Sequence, residues 1–166
     1  LADGATQAQL SNTMVNDPAP STAYSTGLVG FTSNEGGTGG GTCVWTMQID
    51  GTQRVMSDCG EGGATSASSL TLSPDGLHGA FVSGGRIYVK NPSAGVGDPS
   101  TRLVDSPTGG AQDTHPRFSA NLQNPGEWNL IFTRTDGTIW RLNHATILAQ
   151  NNRVLQRLLS PVSGSG

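Results

Sequence analysis

Three phenylalanines, Phe31, Phe81 and Phe132, stand 50 and 51 residues apart, each inside a short apolar run of one kind. The runs are Leu28-Val29-Gly30-Phe31-Thr32-Ser33, Gly79-Ala80-Phe81-Val82-Ser83 and Leu130-Ile131-Phe132-Thr133-Arg134. After each comes a turn or glycine-rich loop and then an aromatic strand: Val44-Trp45-Thr46-Met47, Ile87-Tyr88-Val89-Lys90 and Ile139-Trp140-Arg141-Leu142. A fourth element places Arg before an aliphatic residue, at Arg54-Val55, Arg102-Leu103 and Arg153-Val154. A fixed period near 50 residues governs any fold reading, because each unit must find its hydrophobic partner in the next.

The middle unit shows what one repeat is. Leu70 and Leu72 alternate with polar residues, Pro74-Asp75-Gly76 turns the chain, Ala80 to Ser83 runs back, Gly84-Gly85 turns again and Ile87 to Val89 follows. This is an antiparallel meander, since two-residue glycine turns join short alternating strands. Glycine accounts for 24 residues and charged residues for only 13%, so no window supplies a long amphipathic helix. The predicted class is all-β, with blades of four antiparallel strands, about three blades in the chain. The expected units are a polar lead-in over 1–10, blades over 11–60, 61–110 and 111–161, and a flexible tail or the start of a further blade over 162–166. Three loops, 34–42, 91–100 and 121–128, are read as flexible surface connections. The aromatic pairs Phe31 with Trp45, Phe81 with Tyr88 and Phe132 with Trp140 are read as the core that defines the repeat.

The Leu72-Ser73-Pro74-Asp75-Gly76 turn, followed by Ala80-Phe81-Val82 and Ile87-Tyr88-Val89, resembles the repeat of TolB-like β-propellers. The third unit keeps Phe118-Ser119 but replaces Pro-Asp-Gly by Ala120-Asn121 and a longer loop; the first unit lacks the turn. The resemblance implies a propeller; such propellers serve as periplasmic scaffolds, peptidase gating domains and surface proteins, so it fixes no single activity.

Two cysteines, Cys43 and Cys59, flank Asp50-Gly51. If Asp50 and Gly51 form a two-residue hairpin turn, Ile49 faces Thr52 and Cys43 lies opposite Asp58; a one-residue bulge then aligns Cys43 with Cys59. A disulfide is expected there, and with it an oxidising compartment. The chain opens at Leu1 rather than Met and carries few lysines, which we read as a processed, exported protein: periplasmic, cell-surface or extracellular.

Chemistry is less legible. The sequence contains no Gly-x-Ser-x-Gly elbow, no His-Glu-x-x-His, no P-loop and no Cys-x-x-Cys. His78, His115 and His144 fall far apart in the chain, so no metal or other cofactor is expected, and no catalytic residue is assigned. The net charge of −3 and scattered basic residues argue against nucleic acid, and no apolar run has the length of a membrane span. One polar cluster, Asp113, His115 and Arg117, begins a first strand and is the candidate for ligand binding at a channel mouth. Closed propellers have four to eight blades, so three leave faces to be covered. The expected function is therefore a non-enzymatic module for protein-protein interaction or assembly, completed by another chain or a second copy. The alternatives are a ligand- or glycan-binding propeller and the accessory propeller of a larger hydrolase.

Overall fold

The structure, a computed structural model, describes residues 20–61, 63–102, 110–124, 126–144 and 156–159. The lead-in over 1–10, the tail over 162–166 and the Arg153 element lie outside the described residues, as do Leu103 and Val104. Twelve strands follow in order: β1 Ser21–Ala23, β2 Leu28–Ser33, β3 Cys43–Gln48, β4 Val55–Asp58, β5 Ala67–Leu72, β6 Gly79–Ser83, β7 Arg86–Lys90, β8 Thr101–Arg102, β9 Asp113–Ala120, β10 Trp128–Arg134, β11 Ile139–Asn143 and β12 Gln156–Leu159. They form three four-stranded antiparallel sheets, β1 to β4, β5 to β8 and β9 to β12, each a simple meander. The fold is all-β across the described residues.

Register carries the repeat down to single residues. Phe31 pairs with Trp45, Phe81 with Tyr88 and Phe132 with Trp140, each directly across the second and third strands of its sheet. The first strands of the second and third sheets also share a bulge opposite the phenylalanine. It falls between Ser68 and Thr71 in β5 and between Thr114 and Arg117 in β9, and at each Ser69 (φ 57°) and His115 (φ 50°) take the left-handed conformation. A bulge re-aims the strand by one residue, and here it turns Leu70 and Pro116 into the interior.

The sheets pack face to face in sequence. Val44 of β3 meets Ala67, Leu70, Phe81 and Tyr88 of the second sheet, while Leu28 and Ala23 meet Leu72. The opposite face of the second sheet, Ala80, Ile87 and Val89, packs on Trp128, Leu130, Phe132 and Leu142 of the third. Each phenylalanine of the second and third sheets thus faces the sheet before it. Gly30 makes the first contact possible, since a Cβ there would stand 2.8 Å from Leu70 Cδ2. The first strands are also linked through side chains: Leu72 N donates to Ser21 Oγ (3.1 Å) and Phe118 N to Thr71 Oγ1 (3.4 Å).

Two local expectations change. The β3–β4 turn is centred on Ile49 and Asp50, closed by Gly51 N to Gln48 O and Gln48 N to Thr52 O, both 2.8 Å, with Gly51 at φ 83°. The carboxylate of Asp50 takes up the Thr52 N–H and hydroxyl, which explains why the turn extends by one residue. Beyond it, Trp45 pairs with Met56 and Val44 with Asp58, so a bulge at Ser57 brings Cys43 to Cys59 and the disulfide forms. The loop over 91–100 is no free connection. Pro92 is fully buried, its carbonyl accepts from Thr46 Oγ1 (2.9 Å) and Ser57 Oγ (2.7 Å), and Lys90 Nζ reaches Ser57 O, Asp58 Oδ2, Gly95 O and Asp98 O. A buried ammonium is tolerable because its three protons find acceptors on every side.

Candidate functional site

The residues proposed for a channel mouth separate. Asp113 is fully buried and accepts from Arg134 Nε at 2.7 Å, its direct neighbour across β9 and β10. His115 and Arg117 are exposed, with His115 on the bulge and Arg117 donating to the carbonyl of the adjacent Pro116 at 2.9 Å. The sequence spacing brought three polar residues together; the bulge sent Asp113 inward to serve the arginine.

A different polar group joins the second and third sheets. The Ser73-Pro74-Asp75-Gly76-Leu77-His78 turn is closed by Ser73 N to His78 O (2.8 Å) and Gly76 N to Ser73 O (2.9 Å), with Gly76 at φ 72°. Asp75 Oδ1 accepts from Leu77 N and Ser73 Oγ, leaving Oδ2 to receive Trp128 Nε1 at 3.1 Å. The indole is completely enclosed: Phe118 meets it edge-on at 4.8 Å, His78 lies 5.1 Å away and His144 4.4 Å away. Burial of Asp75 favours its neutral form, but the Ser73, Leu77 and Trp128 bonds and the nearby His78 outweigh it and hold the carboxyl below its ordinary range. Burial lowers the pKa of His78, against the attraction of Asp75 3.9 Å away and with the repulsion of His144.

This Ser, His and Asp arrangement has the wrong bonds for nucleophile activation. Ser73 Oγ directs its proton to Asp75 and accepts from the His78 backbone N–H (3.0 Å), so the imbrication is that of a turn lock, whereas a triad needs the imidazole on the hydroxyl. Among the described residues no three His, Cys, Asp or Glu side chains converge as metal ligands. No described helix is long and apolar enough to cross a membrane.

Two aromatic faces carry arginine lids that the sequence reading did not find. Arg54 lies 4.5 Å over Trp45 and 5.4 Å from Phe31, held by Glu35 at 2.6 Å. Arg134 lies 4.5 Å over Trp140 and 5.8 Å from Phe132, held by Asp113. Trp45 and Trp140 are consequently half-buried, where the sequence placed them in the core beside Phe31, Phe81, Phe132 and Tyr88, which are buried. The available signal was the Arg54-Val55 element and the Phe132-Thr133-Arg134 run, but nothing in the spacing says that both arginines cover the same pair. Neither the family models nor the curated proteins compared with the chain give a match.

Proposed function

We propose that the chain is an exported, non-enzymatic assembly module, three blades of a TolB-like β-propeller that another chain or a second copy completes. The observation that carries this reading is the direction of the aromatic pairs. Phe81 and Tyr88 pack toward the first sheet, and Phe132 packs toward the second. Phe31 and Trp45 hold the same register in the first sheet, and no described sheet precedes them. The side-by-side first strands β1, β5 and β9 agree with blades that gather their inner strands around one axis. The Cys43–Cys59 disulfide supports an oxidising compartment, where such bonds persist.

Light scattering coupled to size exclusion under non-reducing conditions tests it. A mass near twice 17.1 kDa supports closure by a second copy. A monomer that binds an apolar dye, and loses that binding on Trp45→Glu, points to a different chain as the completing partner. A monomer without dye binding overturns the reading, because no face would then be waiting for a blade.

A further inference from the structure

Six large hydrophobic side chains are exposed among the described residues, and five of them lie in the turns at one end of the sheets. In a four-stranded meander the first and third turns fall at the same end, so the β1–β2, β5–β6 and β9–β10 turns share that end with the β3–β4 and β7–β8 turns. Tyr24, Leu77 and Leu122 occupy the first turns, Ile49 and Val96 the third turns, at exposures between 53% and 96%. The sixth, Leu158, is on β12. Neighbouring turns are tied into one surface. Ser25 Oγ donates to Pro74 O (2.7 Å), Ile49 N to Gly27 O (2.8 Å), and Asp75 takes the Trp128 indole at the start of β10. Between Ala23, Tyr24, Leu28, Val29 and Ile49 opens an apolar recess of about 230 Å³.

Among the described residues of these turns, the exposed charges are carboxylates. Asp50, Asp98 and Glu127 are exposed and Asp75 half-buried, all in these same turns. The one described arginine of the turns, Arg54, is drawn away over Trp45 by Glu35, and Lys90 nearby is enclosed by its four acceptors. Apolar side chains ringed by carboxylates are complementary to a partner that offers apolar and cationic side chains together. The same carboxylates repel an anionic lipid surface.

We propose that this turn-bearing end is a docking surface for a protein segment rich in apolar and basic side chains, one of whose apolar side chains seats between Tyr24 and Ile49. This surface is made of strand ends and does not depend on how the sheet faces are completed. The test is fluorescence anisotropy with a labelled peptide of alternating Leu and Lys, its Leu and Glu counterpart, and phosphatidylserine vesicles. The Leu and Lys peptide is expected to bind about tenfold or more tightly than the acidic one, with affinity falling as salt rises. Ile49→Ser and Tyr24→Ser are each expected to weaken it about fivefold or more, and Asp50→Asn with Glu127→Gln to remove most of the salt dependence. Tyr24→Ser and Leu122→Ser, at positions 96% and 92% exposed, are the variants whose folding is least at risk. Thr135→Ala, at the opposite end of the third sheet, is expected to change nothing. Equal binding of the two peptides, equal loss in Thr135→Ala, or binding of the vesicles without the peptide overturns the proposal.

Discussion

The first and third sheets each set an arginine on a Phe and Trp pair, and they do so by different routes. In the third sheet the guanidinium comes from Arg134 at the end of β10 and meets Asp113 directly across the ladder; Arg134 is 9% exposed and Asp113 not at all. In the first sheet it comes from Arg54, just before β4, and meets Glu35 from the β2–β3 loop, at 26% and 39% exposure. The centroid distance over the tryptophan is 4.5 Å in both. The register-set Phe and Trp pair thus takes the same lid in both of these sheets, although a different strand supplies it. Burial then decides what each ion pair is worth. A buried carboxylate that loses its cation keeps the desolvation cost without the attraction, whereas an exposed one is rehydrated.

The largest contrast is predicted at Asp113. Arg134→Ala or Asp113→Ala, by stranding the other charge, is expected to cost about 3–5 kcal/mol, read from the urea midpoint at constant slope. If Arg134→Ala cost no more than Arg54→Ala, the account by burial would fail. The paired change Asp113→Leu with Arg134→Met is expected to recover most of the loss, because it removes both desolvated charges at once.

The first sheet also carries a covalent staple, the Cys43–Cys59 disulfide. Cys43→Ala with Cys59→Ala is expected to destabilise by about 3 kcal/mol, through the freedom restored to the unfolded chain between residues 16 apart. The loss must appear under oxidising conditions and vanish when the wild type is reduced. A wild type whose stability ignored reductant would show that the staple contributes nothing to the fold.

These contrasts also mark how far the sequence can be read. Strands and turns were legible because alternating apolar residues and Asp-Gly or Gly-Gly turns are local signals, and Phe31, Phe81 and Phe132 announce their own register. The disulfide was legible as a bulge away from pairing, since counting back from Asp50-Gly51 stops one residue short of Cys59. The placement of Asp113 was not legible. A left-handed residue at Ser69 and again at His115, neither a glycine, has no signature in a single sequence, and it decides which side chains turn inward. Contacts between sheets were equally hidden. Asp75 and Trp128 are separated by 53 residues, about one repeat, and only the packed sheets bring the carboxylate to the indole.

That junction between the second and third sheets gives a pH-dependent comparison with the first two. His78, faced by Asp75, Trp128 and His144, has its pKa lowered from 6.5 by burial, so the unfolded chain binds the proton more readily than the folded one. The contribution is complete above pH 6.5, declines as pH falls through that value, and levels off once folded His78 is itself protonated. Asp75, lowered from 3.8, stays ionised through this window and adds its own loss only below about 3.8. Urea midpoints between pH 7.5 and 5 are expected to fall in the wild type and to fall less in His78→Gln. Identical slopes would remove His78 from the account.

The smallest effect is expected at Glu35, and its smallness is informative. Glu35→Gln removes the charge that holds Arg54 but leaves the guanidinium on Trp45, whose attraction to a cation does not need the carboxylate. At this exposure the pair contributes about 0–1 kcal/mol, less in high salt, so the midpoint of an isolated chain should hardly move. Covering the same face with a further sheet would change the dielectric around it and bring the pair closer to the condition of Asp113 and Arg134. Measuring Glu35→Gln below and above the concentration at which the particle mass rises therefore separates two cases. A cost that grows on assembly places Arg54 and Glu35 in the contact, whereas one that stays the same keeps them in solvent and moves the completing surface elsewhere.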